Sequence, residues 1–142
     1  MLLNDAELRQ LTGKPNLVQA AREVRAMGPR VVIAKQGEYG AALLTDEMFF
    51  ALPAYPLETV VDPTGAGDTF AGGVVGYLAR HDDLGEDTLR RAMAYGTALA
   101  SFNVEEFGTE RVARLTSDEI AERVADLRRI TRFDDAPVVL RG

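Results

Sequence analysis

Residues 62–73, DPTGAGDTFAGG, crowd small residues and two acids into a single turn with a helix-like run behind it. Glycines placed before a helix expose backbone N–H groups that find no partner inside it. With the positive end of the helix dipole, those donors make an anion site. A side chain at Gly65 or Gly67 would obstruct a phosphate approaching the backbone. Asp68 falls in the first turn, where a carboxylate would repel a bound phosphate, so its presence asks for a reason. Base catalysis supplies one: Asp68 takes a proton from an attacking hydroxyl while the amides of 65–67 stabilise a transferring phosphoryl group. For those few residues alone, a glycine turn entering a helix, with Asp68 merely answering the dipole, stays open.

The elements that must position this turn are readable from spacing. NDAELRQLTG opens as a helix, capped by Asn4 or Asp5, with Leu8 and Leu11 on one face and Gly13 as its stop. Residues 16–28 repeat the pattern with Leu17, Ala20, Ala21, Val24 and Met27. RVVIAK (30–35) reads as a buried strand. AALLT (41–45) and MFFAL (48–52) form a plausible hairpin around Asp46 and Glu47, its Met and aromatic positions 48–50 packing it together. From about Ala66 a helix built of small residues follows, and its glycines predict close packing against another backbone. Further helices are expected at about 86–104 and 117–130. The latter begins at Thr116 or Ser117. The tail, 131–142, has little to tie it down and is expected to fray. This order is α/β in type, with a thin sheet of three or four strands.

Composition narrows the function classes. At 142 residues the chain holds one domain, and 46% hydrophobic with 27% charged residues is globular rather than disordered. A net charge of −6 argues against a nucleic-acid surface. All but Lys14 and Lys35 of the 16 basic residues are Arg, a bias read as genomic before functional. No run approaches the ~18 apolar residues of a membrane span, and MLLNDAELRQ has no signal-peptide pattern. The lack of cysteine removes disulfide, thiolate and Cys-zinc chemistry and fits a cytoplasmic location. His81, the only histidine, reads as a solvated cap at a helix C-terminus. The acids of 82–87 and Glu105-Glu106 read as solvated surface.

DPTGAGDTFAGGVV (62–75) resembles, throughout its length, the C-terminal signature of the ribokinase-like carbohydrate kinases, the PfkB family. The resemblance implies the C-terminal portion of a three-layer α/β/α fold with an incomplete sheet and a β-hairpin. It implies that Asp68 is the catalytic base and that Gly65, Ala66 and Gly67 form the anion hole. NDAE (4–7) looks like the family's Asn-x-x-Glu motif, in which Asn4 and Glu7 would hold Mg²⁺ and the nucleotide phosphates through water. Taken alone it is a helix cap. KQGEYG (35–40) resembles the nucleotide-binding turn, implicating Lys35, Gly37 and Gly40. Thr97 falls where relatives often put Asn or His near the adenine. Asp62 and Thr64 match positions some relatives use for a monovalent cation such as K⁺, completed by the loop NVEEFGTER (103–111). An ordinary turn acid before Pro63 is an equal reading of Asp62, and Glu106 stands where some ribokinases have Arg, so K⁺ activation stays open.

Enzymes of this family are about twice as long, and the motifs found here run from residue 4 to about 110. The chain is therefore expected to be a single partial domain, 1–142: the nucleotide-binding, C-terminal half of a kinase, beginning at the end of a strand. Its partners would be a sugar or nucleoside substrate and the missing N-terminal half, with no nucleic acid or membrane involved. The family's dimers form through lid strands outside this stretch, which leaves a homo-oligomer open. The expected function is ATP-dependent transfer of the γ-phosphate to a sugar or nucleoside hydroxyl. The alternative is a non-catalytic nucleotide-binding or interaction module derived from such a kinase.

Overall fold

In a computed structural model, which describes residues 1–139, β1 (Leu2–Asn4) leads into α1 (Asp5–Thr12) and α2 (Leu17–Ala26). After β2 (Val32–Lys35), a 3₁₀ turn at Gly37–Tyr39 feeds the hairpin β3 (Ala41–Leu44) and β4 (Phe49–Leu52). The helices α3 (Ala66–His81), α4 (Glu86–Asn103), α5 (Glu110–Ala113) and α6 (Ser117–Thr131) follow. The sheet runs β1-β2-β3-β4, with β1 and β2 parallel and the other pairs antiparallel.

Strand alternation sorts side chains into two cores. Val32, Ala34 and Leu44 face α1 and α2, where they bury Leu8, Ala20, Ala21 and Val24. Ile33, Ala41 and Leu43 face α3 and α4, against Phe70, Val74, Leu89, Ala92 and Met93. The result is the expected α/β/α layering, with β3 buried along its whole length.

Several boundary expectations need correction. Leu11 is 49% exposed, because α1 has only eight residues and Leu8 alone fills its contact with the sheet. Met27 caps α2 instead of extending its apolar stripe and is 57% exposed. Phe49 points away from the hairpin core at 52% exposure, while Met48 is buried and Phe50 lies under the Arg90 guanidinium. The helix of small residues packs on one face only. At Gly73 a Cβ would lie 2.9 Å from Gly96 Cα, whereas Gly72 and Gly76 face open space. The Gly73–Gly96 contact is the close backbone approach that the composition predicted. His81 is the last residue of α3, exposed and stacked on Tyr77, while Asp82 in a left-handed conformation is the cap. Residues 132–139 carry no helix or strand and are exposed, and the rest of the expected frayed tail, 140–142, lies outside the described residues.

α6 docks through charge as well as Leu127. Arg111 bridges Glu105 and Glu119, and Arg123 reaches Glu105 at 2.7 Å. The Thr116 backbone N–H, then the Arg111 guanidinium and the Thr116 hydroxyl, hold the Glu119 carboxyl down at about 2, against an ordinary value of 4.5. A depressed carboxyl contributes stability above its unfolded value, and that contribution disappears as pH falls from about 4.5 towards about 2. Acid unfolding followed by circular dichroism should therefore be shallower over this window in Glu119→Gln, which keeps the cap but not the titration. Identical acid limbs would count against the linkage.

Candidate nucleotide and phosphoryl-transfer site

The site forms at the C-terminal ends of the parallel strands β1 and β2, where open α/β sheets place ligands. Lys35 ends β2 in register with Asn4 of β1 and Ala41 of β3. It shares the face of Ile33, so its stem runs over the core towards α3. Its ammonium Nζ lies 3.1 Å from where a Cβ on Gly67 would stand. A cation therefore sits against the first turn of α3, and any larger residue than Gly at 67 would push it away.

The turn before α3 is made by Asp62 and Gly65. Asp62 Oδ1 accepts from Thr64 N at 2.9 Å, an Asx turn that reverses the chain. Gly65 then adopts φ 81°, a left-handed conformation suited to glycine, and stands as the N-cap of α3 without a side-chain cap bond. Ala66 N reaches Pro63 O at 3.3 Å, while the amides of Gly67 and Asp68 donate to no carbonyl among the described residues. A 16-residue helix thus presents unpaired N–H groups at its positive end beside Lys35. Asp68 is exposed in that first turn. The arrangement can bind an anion and hold a carboxylate next to it.

A cavity of about 740 Å³ opens from this point. Gly37 and Gly40 of the 3₁₀ turn, Gly67 and Phe70 of α3, and Thr97 and Ser101 of α4 line it. Thr97 is buried, and its hydroxyl proton goes to Met93 O at 2.8 Å, so towards the cavity it can only accept. Ser101 donates to Ala98 O and accepts from Arg123.

The outer wall, Tyr55, is held by α6. Its phenol donates to Asp126 at 3.0 Å, a bond that pushes the phenol up and the Asp126 carboxyl down. The Arg123 guanidinium lies 4.6 Å over the Tyr55 ring and 3.6 Å over Phe102. Sequence reading missed Tyr55, Ser101 and Arg123. Their contacts, Ser101 with Arg123 and Tyr55 with Asp126, span 22 and 71 positions, and no local pattern signals such contacts.

Asn4 and Glu7 form a reciprocal capping box on α1: Asn4 Oδ1 accepts from Glu7 N at 2.7 Å and Glu7 Oε2 from Asn4 N at 2.9 Å. Asn4 is also the register partner of Lys35 on the neighbouring strand. Among the described residues no group of three or more His, Cys, Asp or Glu gathers as a metal site. Among the described residues Glu7 Oε1 takes no hydrogen bond, so the pair suits an ion that keeps most of its own waters. At Asp62 the Thr64 N–H, and less strongly the Gly108 N–H, hold the carboxyl below its ordinary value, which brings the loop after α4 beside the Asx turn. Glu106, in that loop, is turned to Arg114 at 2.6 Å.

The layered sheet with its hairpin, and the glycine turn feeding an uncapped helix, define a ribokinase-like fold. The sequence profile described as pfkB family carbohydrate kinase matches residues 1–114, and the chain belongs to that family. It is 39% identical over 85 residues to the cytidine kinase of Thermococcus kodakarensis, covering 58% of this chain and 30% of that protein. The crystal structure of aminoimidazole riboside kinase from Salmonella enterica, complexed with aminoimidazole riboside and an ATP analogue, superposes with a TM-score of 0.74. That match is 32% identical and covers 87% of this chain and 41% of that one. Arabidopsis thaliana ribokinase complexed with ribose and ATP gives 0.72 at 26% identity, over 87% of this chain and 39% of that one. The chain thus spans about a third of the length of the curated relatives it matches. No helix of the described residues is long and apolar enough to cross a membrane.

Proposed function

We propose that this chain supplies the nucleotide-binding and phosphoryl-transfer side of an ATP-dependent kinase whose acceptor is a sugar or nucleoside hydroxyl. The observation that carries the reading is the Lys35 ammonium set against Gly67, beside the unpaired amides of α3, at the mouth of a nucleotide-sized cavity. The base and ribose of ATP fit the cavity past Gly37, Gly40 and Thr97. The phosphates then reach Lys35 and the amides of Gly65, Ala66 and Gly67. Asp68 accepts the proton of the acceptor hydroxyl as its oxygen bonds to the γ-phosphorus. The bond from that phosphorus to the β,γ-bridging oxygen breaks and ADP leaves. The helix N-terminus and Lys35 stabilise the charge of the transferring group.

Asn4 and Glu7 would hold Mg²⁺ through its waters, and that ion would neutralise charge on the β- and γ-phosphates. The ionised Asp62, the Thr64 carbonyl and the loop near Gly108 would hold a monovalent cation such as K⁺, with Glu106 drawn aside by Arg114. The acceptor, by this reading, is bound by the part of the relatives that the match does not cover, the N-terminal half.

Calorimetric titration of the chain with ATP and with adenosine tests the proposal. ATP should bind more tightly, and Lys35→Met should weaken ATP about 10- to 100-fold, the loss of one or two charge-assisted bonds, with adenosine unchanged. Equal affinity for the two ligands would refute it. A second reading is a nucleotide-binding module without transfer. ATP binding without turnover, even with an added N-terminal half of a relative, would decide for that one.

A further inference from the structure

We propose that Asn103 is the positioning residue of the anion turn; the inference rests on the phosphate-site reading of that turn. Beyond the Asx turn of Asp62 and Thr64, little within residues 62–68 holds their shape. The helix has no side-chain cap, and the Ala66–Pro63 bond is long at 3.3 Å. The support comes from the far end of α4. Asn103 is its last residue and is only 2% exposed. Its Nδ2 donates to Thr64 O at 2.9 Å, and its Oδ1 accepts from Thr69 Oγ1 at 3.0 Å.

Those two partners flank Gly65 to Asp68 on either side, so one planar amide spans the whole anion turn. The amide backs Gly65 directly, 3.7 and 3.9 Å from where a Cβ there would stand. The next residue continues the support, with Val104 O accepting from Val61 N at 2.8 Å and from Asp62 N at 3.4 Å. The sequence reading placed Asn103 only at the start of a loop completing a cation site, whereas its side chain makes contacts of its own.

Asparagine suits this place because the turn needs a donor on one side and an acceptor on the other. Leucine has the size and neither group. Aspartate keeps the acceptor, cannot donate to Thr64 O, and brings negative charge behind an anion site. The structure assigns Asn103 the task of fixing where the amides of 65–67 point, without touching the ligand.

The test measures ATP and adenosine affinities for the wild-type chain, Asn103→Leu, Asn103→Asp and Thr69→Val, with amide hydrogen exchange across 62–69. Asn103→Leu should speed exchange of the hydrogen-bonded amides of Thr64 and Thr69 about tenfold relative to β2 and β3, and cut the ATP-over-adenosine preference by a similar factor. Asn103→Asp should lose at least as much of that preference while keeping more thermal stability than the Leu variant. That split separates positioning from simple support. If Asn103→Leu does not fold, Thr69→Val carries the test, with about a threefold loss expected for one bond. Variants that keep the wild-type preference overturn the inference alone. A wild-type chain with no preference for ATP overturns the phosphate-site reading and takes this inference with it.

Discussion

Asp68→Asn is expected to lower phosphoryl transfer by about 10²- to 10⁴-fold, the range a positioned general base contributes. Nucleotide binding should survive or improve. The carboxylate is exposed in the first turn of α3, beside amides that donate to no carbonyl among the described residues, and removing its charge should relieve repulsion of bound phosphates. Asparagine keeps the size and cannot take the proton. Turnover of ATP and equilibrium binding, measured on the same preparation, separate these effects. A variant that loses ATP affinity in step with turnover would make Asp68 a structural or ligand-binding residue. Near-normal turnover would end its assignment as the base.

Gly40→Ala should be the most damaging single change to stability, costing about 3–5 kcal/mol. The backbone there has φ 100° and ψ −141°, a region that side-chain-bearing residues scarcely visit. A Cβ would also stand 2.0 Å from Leu52 O and 2.7 Å from Pro53, both backbone, so nothing can swing aside. The damage should reach the site, because Gln36 N donates to Gly40 O at 2.8 Å next to Lys35, and Ala41 pairs with Leu52 to open the hairpin. Gly37 is the matched control. It too has a positive φ, 58°, but a Cβ there meets nothing within 4 Å, so Gly37→Ala should cost only about 1–2 kcal/mol. Denaturant melts of both variants decide the matter, and equal losses would mean that the clash is relieved by motion of the hairpin.

The two predictions differ in how visible their basis was in the sequence. The Asp68 prediction is legible because it rests on neighbours three residues away, and a glycine turn before a helix exposes amides whatever it packs against. Gly40 is legible as a turn glycine only. That it cannot be replaced comes from Leu52 and Pro53, which arrive when the hairpin folds back. The capping box of Asn4 and Glu7 was likewise readable, since both of its bonds are made within four residues. Whether the same oxygens also serve an ion depends on what lies beyond β1 and was not.

The sequence by itself determined the α/β order, the buried positions Leu8, Ala20, Ala21 and Val24 of α1 and α2, the hairpin and the glycine turn with its acid. Each follows from local propensity, strand and helix periodicity or backbone geometry, which act over a few residues. Only the tertiary structure decided that Lys35 meets Gly67, that α6 holds Tyr55 through Asp126 and Arg123, and that Asn103 backs the turn from the end of α4. Those contacts join residues far apart in the chain, and their partners are chosen by strand register and by the Gly73–Gly96 crossing, neither of which leaves a periodic mark.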